Sequence, residues 1–265
     1  MNVSDLLGQN MLEYVSRMIL TSETITVSHD GWAIVTGMGG GAGGCKSYSP
    51  GNSAPWGVRA QAVYAGDQLA IAIGAGGPAV SAMNTPAIAG GNTIISLNGN
   101  VLMTCQGGDA GPANTTTPNP VAAIVLGADY WRRGAAPGGT MNGYIAGGAA
   151  VDVGFGTDPG NSGNGDSSVN RIAGGYGAPK GFHFWPFNLT LTGGSSGEIG
   201  AGSDSSARAV FFGGGNGFSV SGSPSVINPP GRGGSGGRVE PVTAQSVKPG
   251  GDGLGYLRLY KRIGG

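Results

Sequence analysis

Gly37-Met38-Gly39-Gly40-Gly41-Ala42-Gly43-Gly44 is the first and densest of several glycine-rich blocks that recur toward the C-terminus of this sequence. It follows a short run of β-type residues at positions 32–36. Two interpretations of the block compete. It is either a loop that binds phosphate or a packing element that contacts other glycine blocks. The choice between them decides the predicted fold and most of the predicted function.

The residues that follow the block argue against a phosphate loop. A P-loop has the pattern G-x-x-x-x-G-K-[ST] and leads into a helix whose N-terminus holds the phosphates. Here Cys45 stands in place of the final glycine before Lys46 and Ser47, and Pro50 and Pro55 follow. A helix does not begin in such proline-interrupted sequence. We therefore predict no nucleotide and no other cofactor.

A later block, at residues 231–238, favours the packing interpretation. Arg232, Ser235 and Arg238 occupy every third position, and all the others are glycine. A polyproline-II-type helix has three residues per turn and no internal hydrogen bonds, so its backbone groups are available to neighbouring segments. Residues 37–44 fit the same three-residue period. The alternative is a set of flexible linkers; we favour a lattice of polyglycine-II-type helices.

The composition fits an ordered chain of low charge. The 265 residues include 57 glycines, 39% are hydrophobic and only 11% are charged, with a formal net charge of zero. A neutral chain offers no electrostatic basis for binding nucleic acid or an anionic membrane. No run approaches the roughly 18 apolar residues of a membrane span. We predict a mainly β fold: a β-strand subdomain with a packed lattice of glycine-rich helices and tip loops.

An apolar stripe near the N-terminus predicts a short α-helix over residues 3–20. Leu7, Met11, Val15 and Met18 recur at helical spacing on one face. The helix either packs back on its own domain or serves for attachment and oligomerisation, and we favour attachment. The expected organisation is an N-terminal attachment and oligomerisation helix at residues 1–21, which joins the chain into a homotrimer, and one glycine-rich domain at residues 22–265.

Several β-type runs are separated by turn signals. Asp30-Gly31 predicts a hairpin between two runs, and Asn98-Gly99 predicts another. The last run alternates, which places Leu257 and Leu259 on one face and Tyr256 on the other. The β-strand subdomain is therefore expected to contain hairpins.

Candidate chemistry is weak throughout the chain. Two G-x-S-x-G matches surround Ser195 and Ser235, but neither precedes a helix, as a nucleophile elbow requires. The two histidines and the scattered carboxylates form no triad, no spaced acid pair and no metal cluster. Cys45 and Cys105 have no histidine partners at metal-ligand spacing, and whether they pair stays open. We predict that the protein is not an enzyme and holds no metal.

Aromatic and arginine side chains are the candidates for binding a partner, because such residues dominate binding hot spots. The alternative is that they fill the core. The candidate contact residues are Tyr48, Trp56, Tyr130, Trp131, Arg132 and Arg133.

Taken together, the order of these motifs resembles the glycine-rich distal domain of bacteriophage tail fibres. The motifs are a strand into a glycine block at 32–44, Gly74-Ala75-Gly76-Gly77, Gly-Gly-Asn-Thr at 90–93, Gly107-Gly108 and a closing strand at 251–260. The likeness covers residues 22–265. More distantly, the chain resembles the polyglycine-II adhesins of T-even-type phages, from which it departs in beginning with an apolar helix.

The resemblance implies a receptor-binding protein of the phage virion, assembled in the host cytoplasm. Its loops would contact a surface protein, pilus or glycan of the bacterium, without insertion into the membrane. Its N-terminal helix would join other tail or baseplate proteins of the phage. Two other classes of function are weighed against it. One is a purely structural tail or baseplate component, and the other is a glycan depolymerase, which would need two carboxylates at catalytic separation.

Overall fold

The structure is a computed structural model that describes residues 11–43, 52, 54–82, 85–110, 122–132, 134, 140–141, 144–145, 182–184, 189–191 and 249–263. The described elements are all β-strands. They are β1 (Met11–Ile19), β2 (Glu23–Thr26), β3 (Gly31–Met38), β4 (Trp56–Val63), β5 (Gln68–Ala72), β6 (Thr93–Leu97), β7 (Asn100–Cys105), β8 (Val125–Leu126), β9 (Tyr130–Arg132), β10 (Thr140–Met141), β11 (Tyr144–Ile145), β12 (Phe182–Phe184), β13 (Leu189–Leu191) and β14 (Leu254–Arg262).

Ten of these strands form two antiparallel sheets. Sheet A has the order β1-β14-β3-β4-β9, and sheet B has the order β2-β5-β6-β7-β8. The last strand of the chain, β14, lies inside sheet A between β1 and β3, so the two ends of the described chain are joined in one sheet. Two small hairpins, β10-β11 and β12-β13, lie outside the sheets.

The two sheets pack face to face around one apolar core. Sheet A contributes Val35 and Leu257, and sheet B contributes Leu69, Ile95 and Met103. All five are completely removed from solvent. Alternate residues of a strand point to opposite faces, so each strand supplies every second side chain to this core. Burying a side chain of this size contributes about 1.5–3 kcal/mol, so this core stabilises the pairing of the two sheets.

The outer face of sheet A carries a second apolar cluster, which is rich in aromatic side chains. Ile34, Trp56 and Tyr260 are buried in it, and Trp32 and Tyr130 pack against it. Sheet A is therefore apolar on both faces. Sheet B differs, because its outer face presents exposed or half-buried residues such as Thr24 and Ala72 to solvent.

The predicted N-terminal helix is wrong for the residues that the structure describes. Residues 11–19 form strand β1, which pairs with β14 along its length, with a bulge between Glu13 and Val15. The apolar residues have helical spacing, but the bulge lets the same residues point to the two faces of a strand. Met11 packs on the outer face of sheet A and Val15 on the inner face. The continuous stripe expected to drive trimerisation is thus divided between two faces.

The predicted fold class is also wrong. The described chain has no helix of any kind and is organised as two antiparallel sheets, not as a lattice of polyglycine-II-type helices. Apolar alternation in the strands, rather than glycine packing, provides the main core. The block at 231–238, whose three-residue period suggested the lattice, lies outside the described residues.

The outcome for the hairpin turns is mixed. Asn98-Gly99 does join paired strands, β6 and β7, and its positive φ angles of 50° and 81° match a tight hairpin turn. The hairpin predicted at Asp30-Gly31 is wrong, because β2 belongs to sheet B and β3 to sheet A. No helix in the described residues is long and apolar enough to cross a membrane.

Candidate functional site

The connections of the sandwich differ sharply at its two ends. Short connections lie at one end, which we call the turn end; they are residues 27–30, 64–67 and 98–99. Long connections lie at the other end; they are residues 39–55, 73–92, 106–124 and 133–253. Nearly every long excursion of the chain thus begins and ends at the same end of the sandwich. Binding residues concentrate on loops that a rigid scaffold positions, so this second end is the candidate functional site.

Glycine-rich segments meet where those long connections leave the sheets. We call the set of segments 39–43, 74–77, 88–92, 106–108 and 250–253 the glycine junction. The first of them is central, since its backbone N–H groups donate to several different neighbours. Its hydrogen bonds are Gly39 N to Pro55 O at 3.4 Å, Gly40 N to Gly91 O at 2.9 Å, Gly41 N to Gly251 O at 2.8 Å, Ala42 N to Asn52 O at 3.0 Å and Gly43 N to Ile88 O at 2.9 Å.

The other segments also bond to one another, so the junction is a closed network. Gly91 N donates to Ala75 O at 2.7 Å, and Gly90 N donates to Gly108 O at 3.1 Å. The backbones approach so closely that a Cβ atom on Gly90 would overlap the carbonyl of Gly40. Glycine is therefore required here because there is no space for a side chain. Backbone groups that have no strand partner make hydrogen bonds to the other segments of the junction instead.

A few polar side chains tie the junction to the sheets. Thr93 is completely buried; its Oγ1 donates to Met38 O at 2.7 Å and accepts from Gly74 N at 3.0 Å. Asp252 Oδ1 accepts from Gly76 N at 2.8 Å, and Asn92 Oδ1 accepts from Gly107 N at 3.0 Å. These bonds orient the glycine segments relative to the strands that feed them.

The connection at residues 106–124 is pinned at its base. Asp109 Oδ2 accepts from Ala122 N at 2.7 Å and from Ala123 N at 2.9 Å. Gln106 Oε1 accepts from Ile124 N at 2.9 Å. Because the two arms are held together where they enter the junction, the residues between them leave the scaffold at a defined place.

The turn end is held by side chains instead of backbone packing. The Asp67 carboxylate accepts from Tyr64 N at 2.8 Å and from Asn98 Nδ2 at 2.7 Å. Asp30 Oδ1 accepts from Ala65 N at 2.8 Å, which links two turns. The hydrogen bond from Asn98, and then the one from Tyr64, hold the pKa of Asp67 below its usual value.

The structure brings four of the predicted contact residues, Trp56 and Tyr130 to Arg132, onto adjacent strands. Trp56 of β4 pairs with Arg132 of β9, and Tyr130 lies two positions away. The rings of Trp56 and Tyr130 are 5.8 Å apart between centroids and are tilted by 57°. Trp56 is only 3% exposed, so this contact belongs to the cluster on the outer face of sheet A.

Trp131 lies apart from those aromatic rings. It points to the opposite face of β9, opposite Gly57, and is 40% exposed. The turn before β9 is held by Asp129, whose Oδ1 accepts from Arg59 Nη1 at 3.1 Å and whose Oδ2 accepts from Ala60 N at 2.7 Å. Trp131 is therefore an exposed aromatic side chain on a well-fixed strand. Tyr48 and Arg133 lie outside the described residues.

The predicted attachment residues lie on edge strand β1, apart from Leu7, which is outside the described residues. Met11, Val15 and Met18 are all half-buried there. Strand β1 is held to β14 by two side-chain pairs. Arg258 bonds to Glu13, and Ser16 Oγ lies 2.7 Å from the Tyr256 hydroxyl. The sequence did not predict that Tyr256 and Arg258 would hold β1, although the alternation in β14 places both on one face.

Two buried titratable groups of the described residues offer little reactivity. Burial raises the pKa of the Cys105 thiol to about 12, so the thiolate is scarce at neutral pH. Burial likewise raises the pKa of the Tyr260 hydroxyl above its usual value. Within the described ranges, no group of three or more His, Cys, Asp or Glu residues is placed to hold a metal ion.

No protein-family model matches this sequence, and its comparison with curated proteins finds no significant match.

Proposed function

We propose that this protein is a non-enzymatic receptor-binding protein of a bacteriophage tail, which recognises the surface of the bacterial host. The observation that supports the proposal best is the difference between the two ends of the sandwich. Long connections leave and return through the glycine junction at one end, while short turns close the other. Such an arrangement suits loops that contact a partner.

Rigidity of the loop bases is the physical advantage of this design. Loops that are ordered before binding lose less conformational entropy when the partner is bound. The backbone bonds of the glycine junction and the Asp109 clamp hold the bases without relying on the loop residues themselves. Several copies on one virion would add avidity.

The expected partners are of two kinds. A surface protein, a pilus or a glycan of the bacterium would be bound by the loop end, and other tail proteins would hold the rest of the chain on the virion. Trp131 and Arg132 are candidates for contact with the receptor. Trp131 combines a large aromatic ring with 40% exposure, and an exposed, well-positioned tryptophan is a common hot-spot residue.

One observation favours a second function, that of a structural tail component without a receptor. Trp56 and Tyr130, which the sequence offered as contact residues, pack in an apolar cluster instead of standing exposed. If the remaining candidates are also covered by neighbouring tail proteins, the protein would serve assembly alone.

Binding of the purified protein to host cells distinguishes the two functions. We expect the protein to adsorb to cells of the bacterium that the parent phage infects and to compete with phage adsorption. The Trp131→Ala variant should bind at least about tenfold more weakly, the size expected for a hot-spot tryptophan. The matched control is Val101→Ala, whose side chain is 63% exposed at the turn end; it should bind as the wild type does.

If the wild-type protein neither binds nor competes, although its circular dichroism spectrum is that of a folded β protein, the structural function is favoured. Equal losses for the two variants would remove Trp131 from the contact surface.

A further inference from the structure

Strand β1 is an unusually long edge for this sandwich. It has nine residues, whereas the other edge strands, β2, β8 and β9, have four, two and three. Edge strands present unpaired backbone N–H and C=O groups, and short edges are one way in which proteins avoid pairing with other chains. Among the described residues, no strand pairs with the outer side of β1.

The side chains of β1 would be covered by a further strand on either face. Tyr14 and Val15 pack against the inner core, and Met11 packs against the outer cluster of sheet A. All three retain some exposure, and Leu12 is 48% exposed. An added strand that is apolar on both faces would extend both clusters at once.

A second copy of β1 matches the two faces of the first when it runs antiparallel. The bulge lies between Glu13 and Val15, so a two-fold axis between Tyr14 and Val15 places the bulges of the two copies beside each other. Side chains on the same face then meet. Met11 faces Met18 of the second copy, Leu12 faces Arg17 of the second copy, and Glu13 faces Ser16 of the second copy.

The charges of β1 favour the antiparallel arrangement over a parallel one. Glu13 is paired with Arg258, and Arg17 is paired with Glu23 at 2.9 Å, so neither is an uncompensated charge at the edge. In a parallel pair in register, Glu13 would lie beside its own counterpart, and Arg17 beside its own. Like charges directly opposite one another are destabilising, and the antiparallel register avoids both pairs.

We propose that the free protein forms a two-fold symmetric dimer in which two β1 strands pair antiparallel and continue sheet A from one copy into the next. Such an interface uses the same surface on both copies. The two glycine junctions lie at opposite ends of the dimer. The dimer does not depend on the proposed receptor-binding function, because β1 contributes no segment to the glycine junction.

Charge variants at Leu12 test the proposed register. The side chain is half exposed but lies opposite Lys261 of β14 in the same chain, so the thermal midpoint of unfolding is measured for both variants to separate loss of fold from loss of dimer. Leu12→Lys places a positive charge opposite Arg17 of the second copy twice per dimer, and dimerisation should weaken at least about tenfold. Leu12→Glu places opposite charges there and should remain dimeric. The readout is the molar mass from size-exclusion chromatography with light scattering over a range of concentrations.

Cysteine cross-linking tests the same contact independently of affinity. In a Cys45→Ser background, Leu12→Cys and Arg17→Cys chains are oxidised separately and as a mixture. Only the mixture should yield a disulfide-linked dimer, because each cysteine faces the other position in the second copy. A monomer at all concentrations, as expected if the chain's own N-terminal residues cover the edge, would overturn the proposal. A trimer, or Leu12→Cys chains linked to each other, would overturn it as well.

Discussion

The turn end and the glycine junction solve the same problem by different means. Both must satisfy backbone groups where strands stop. At the turn end, single side chains such as Asp67 and Asn98 bridge short turns, and the glycines there have positive φ angles with open space around them. At the junction, backbone N–H groups donate to backbone carbonyl groups, and there is no room for a Cβ atom at the glycines. The lesson is that glycine is required at one end for conformation and at the other for close approach.

The largest expected effect separates these two uses of glycine. Gly90→Ala puts a Cβ atom into the carbonyl of Gly40, so the backbone of two segments must move, and the free energy of unfolding should fall by about 3 kcal/mol or more. Gly66→Ala is the matched variant at the turn end. It meets nothing within 4 Å but has a φ of 96°, so strain alone should cost about 1–2 kcal/mol.

Urea denaturation of the two glycine variants gives the comparison directly. If Gly90→Ala costs no more than Gly66→Ala, the junction is not closely packed and the contrast between the ends fails.

A smaller effect is expected for the hydroxyl that ties the junction to the sheets. Thr93→Val keeps the shape of the side chain but leaves Met38 O and Gly74 N without this partner. Unsatisfied buried groups of this kind should lower the free energy of unfolding by about 2–3 kcal/mol. Thr24→Val, on the exposed side of β2, is the control and should change it by less than about 0.5 kcal/mol. Equal effects would mean that Thr93 does not link the two parts.

The turn end should show a pH dependence that comes from Asp67. Its pKa in the folded protein lies below the ordinary value of 3.8. The unfolded chain therefore takes up a proton at higher pH than the folded chain does, and the stabilising contribution of Asp67, present above that pH, is lost as pH falls through the folded pKa. The Asp67→Asn variant lacks this titration. The difference in unfolding free energy between wild type and variant should shrink from about pH 6 to about pH 3.

Other carboxylates also titrate in that range, which is why the difference between the two proteins is the relevant quantity. A difference that stays constant with pH would show that the ionised form of Asp67 gains nothing from Asn98.

The smallest effect is expected where the turn end exposes an apolar side chain. Val101 is 63% exposed, and Val101→Ser should change the free energy of unfolding by less than about 0.5 kcal/mol. A larger loss, measured in the same urea titrations, would mean that apolar packing also holds this end and that the two ends are more alike than the hydrogen bonds indicate.

Local signals in the sequence located some elements correctly. Asn98-Gly99 identified a hairpin because both residues tolerate positive φ, a property of the two residues themselves. The alternation in β14 placed Leu257 and Leu259 in the core for a similarly local reason. The turn at Asp30-Gly31 was equally clear in the sequence, yet the strands beside it enter different sheets.

The candidate site could be predicted only in part. Tyr130 to Arg132 were all candidate contact residues, but pairing with β4 makes them a strand and sends Trp131 and Tyr130 to opposite faces. Trp56 was a candidate contact residue and lies in a buried cluster instead. Exposure depends on which distant segment pairs with the strand, and a single sequence does not specify that pairing.

By itself, the sequence determined that the chain would be β-rich and low in charge, with glycine wherever strands run into close-packed backbone, because these follow from composition and residue type. Only the tertiary structure decided that residues 11–19 are a strand. Their apolar spacing suits a helix, and the contacts that override it come from β14, at the far end of the chain. Tertiary structure likewise gathered five glycine-rich segments, distant in sequence, into one junction, since each satisfies its backbone only through the others.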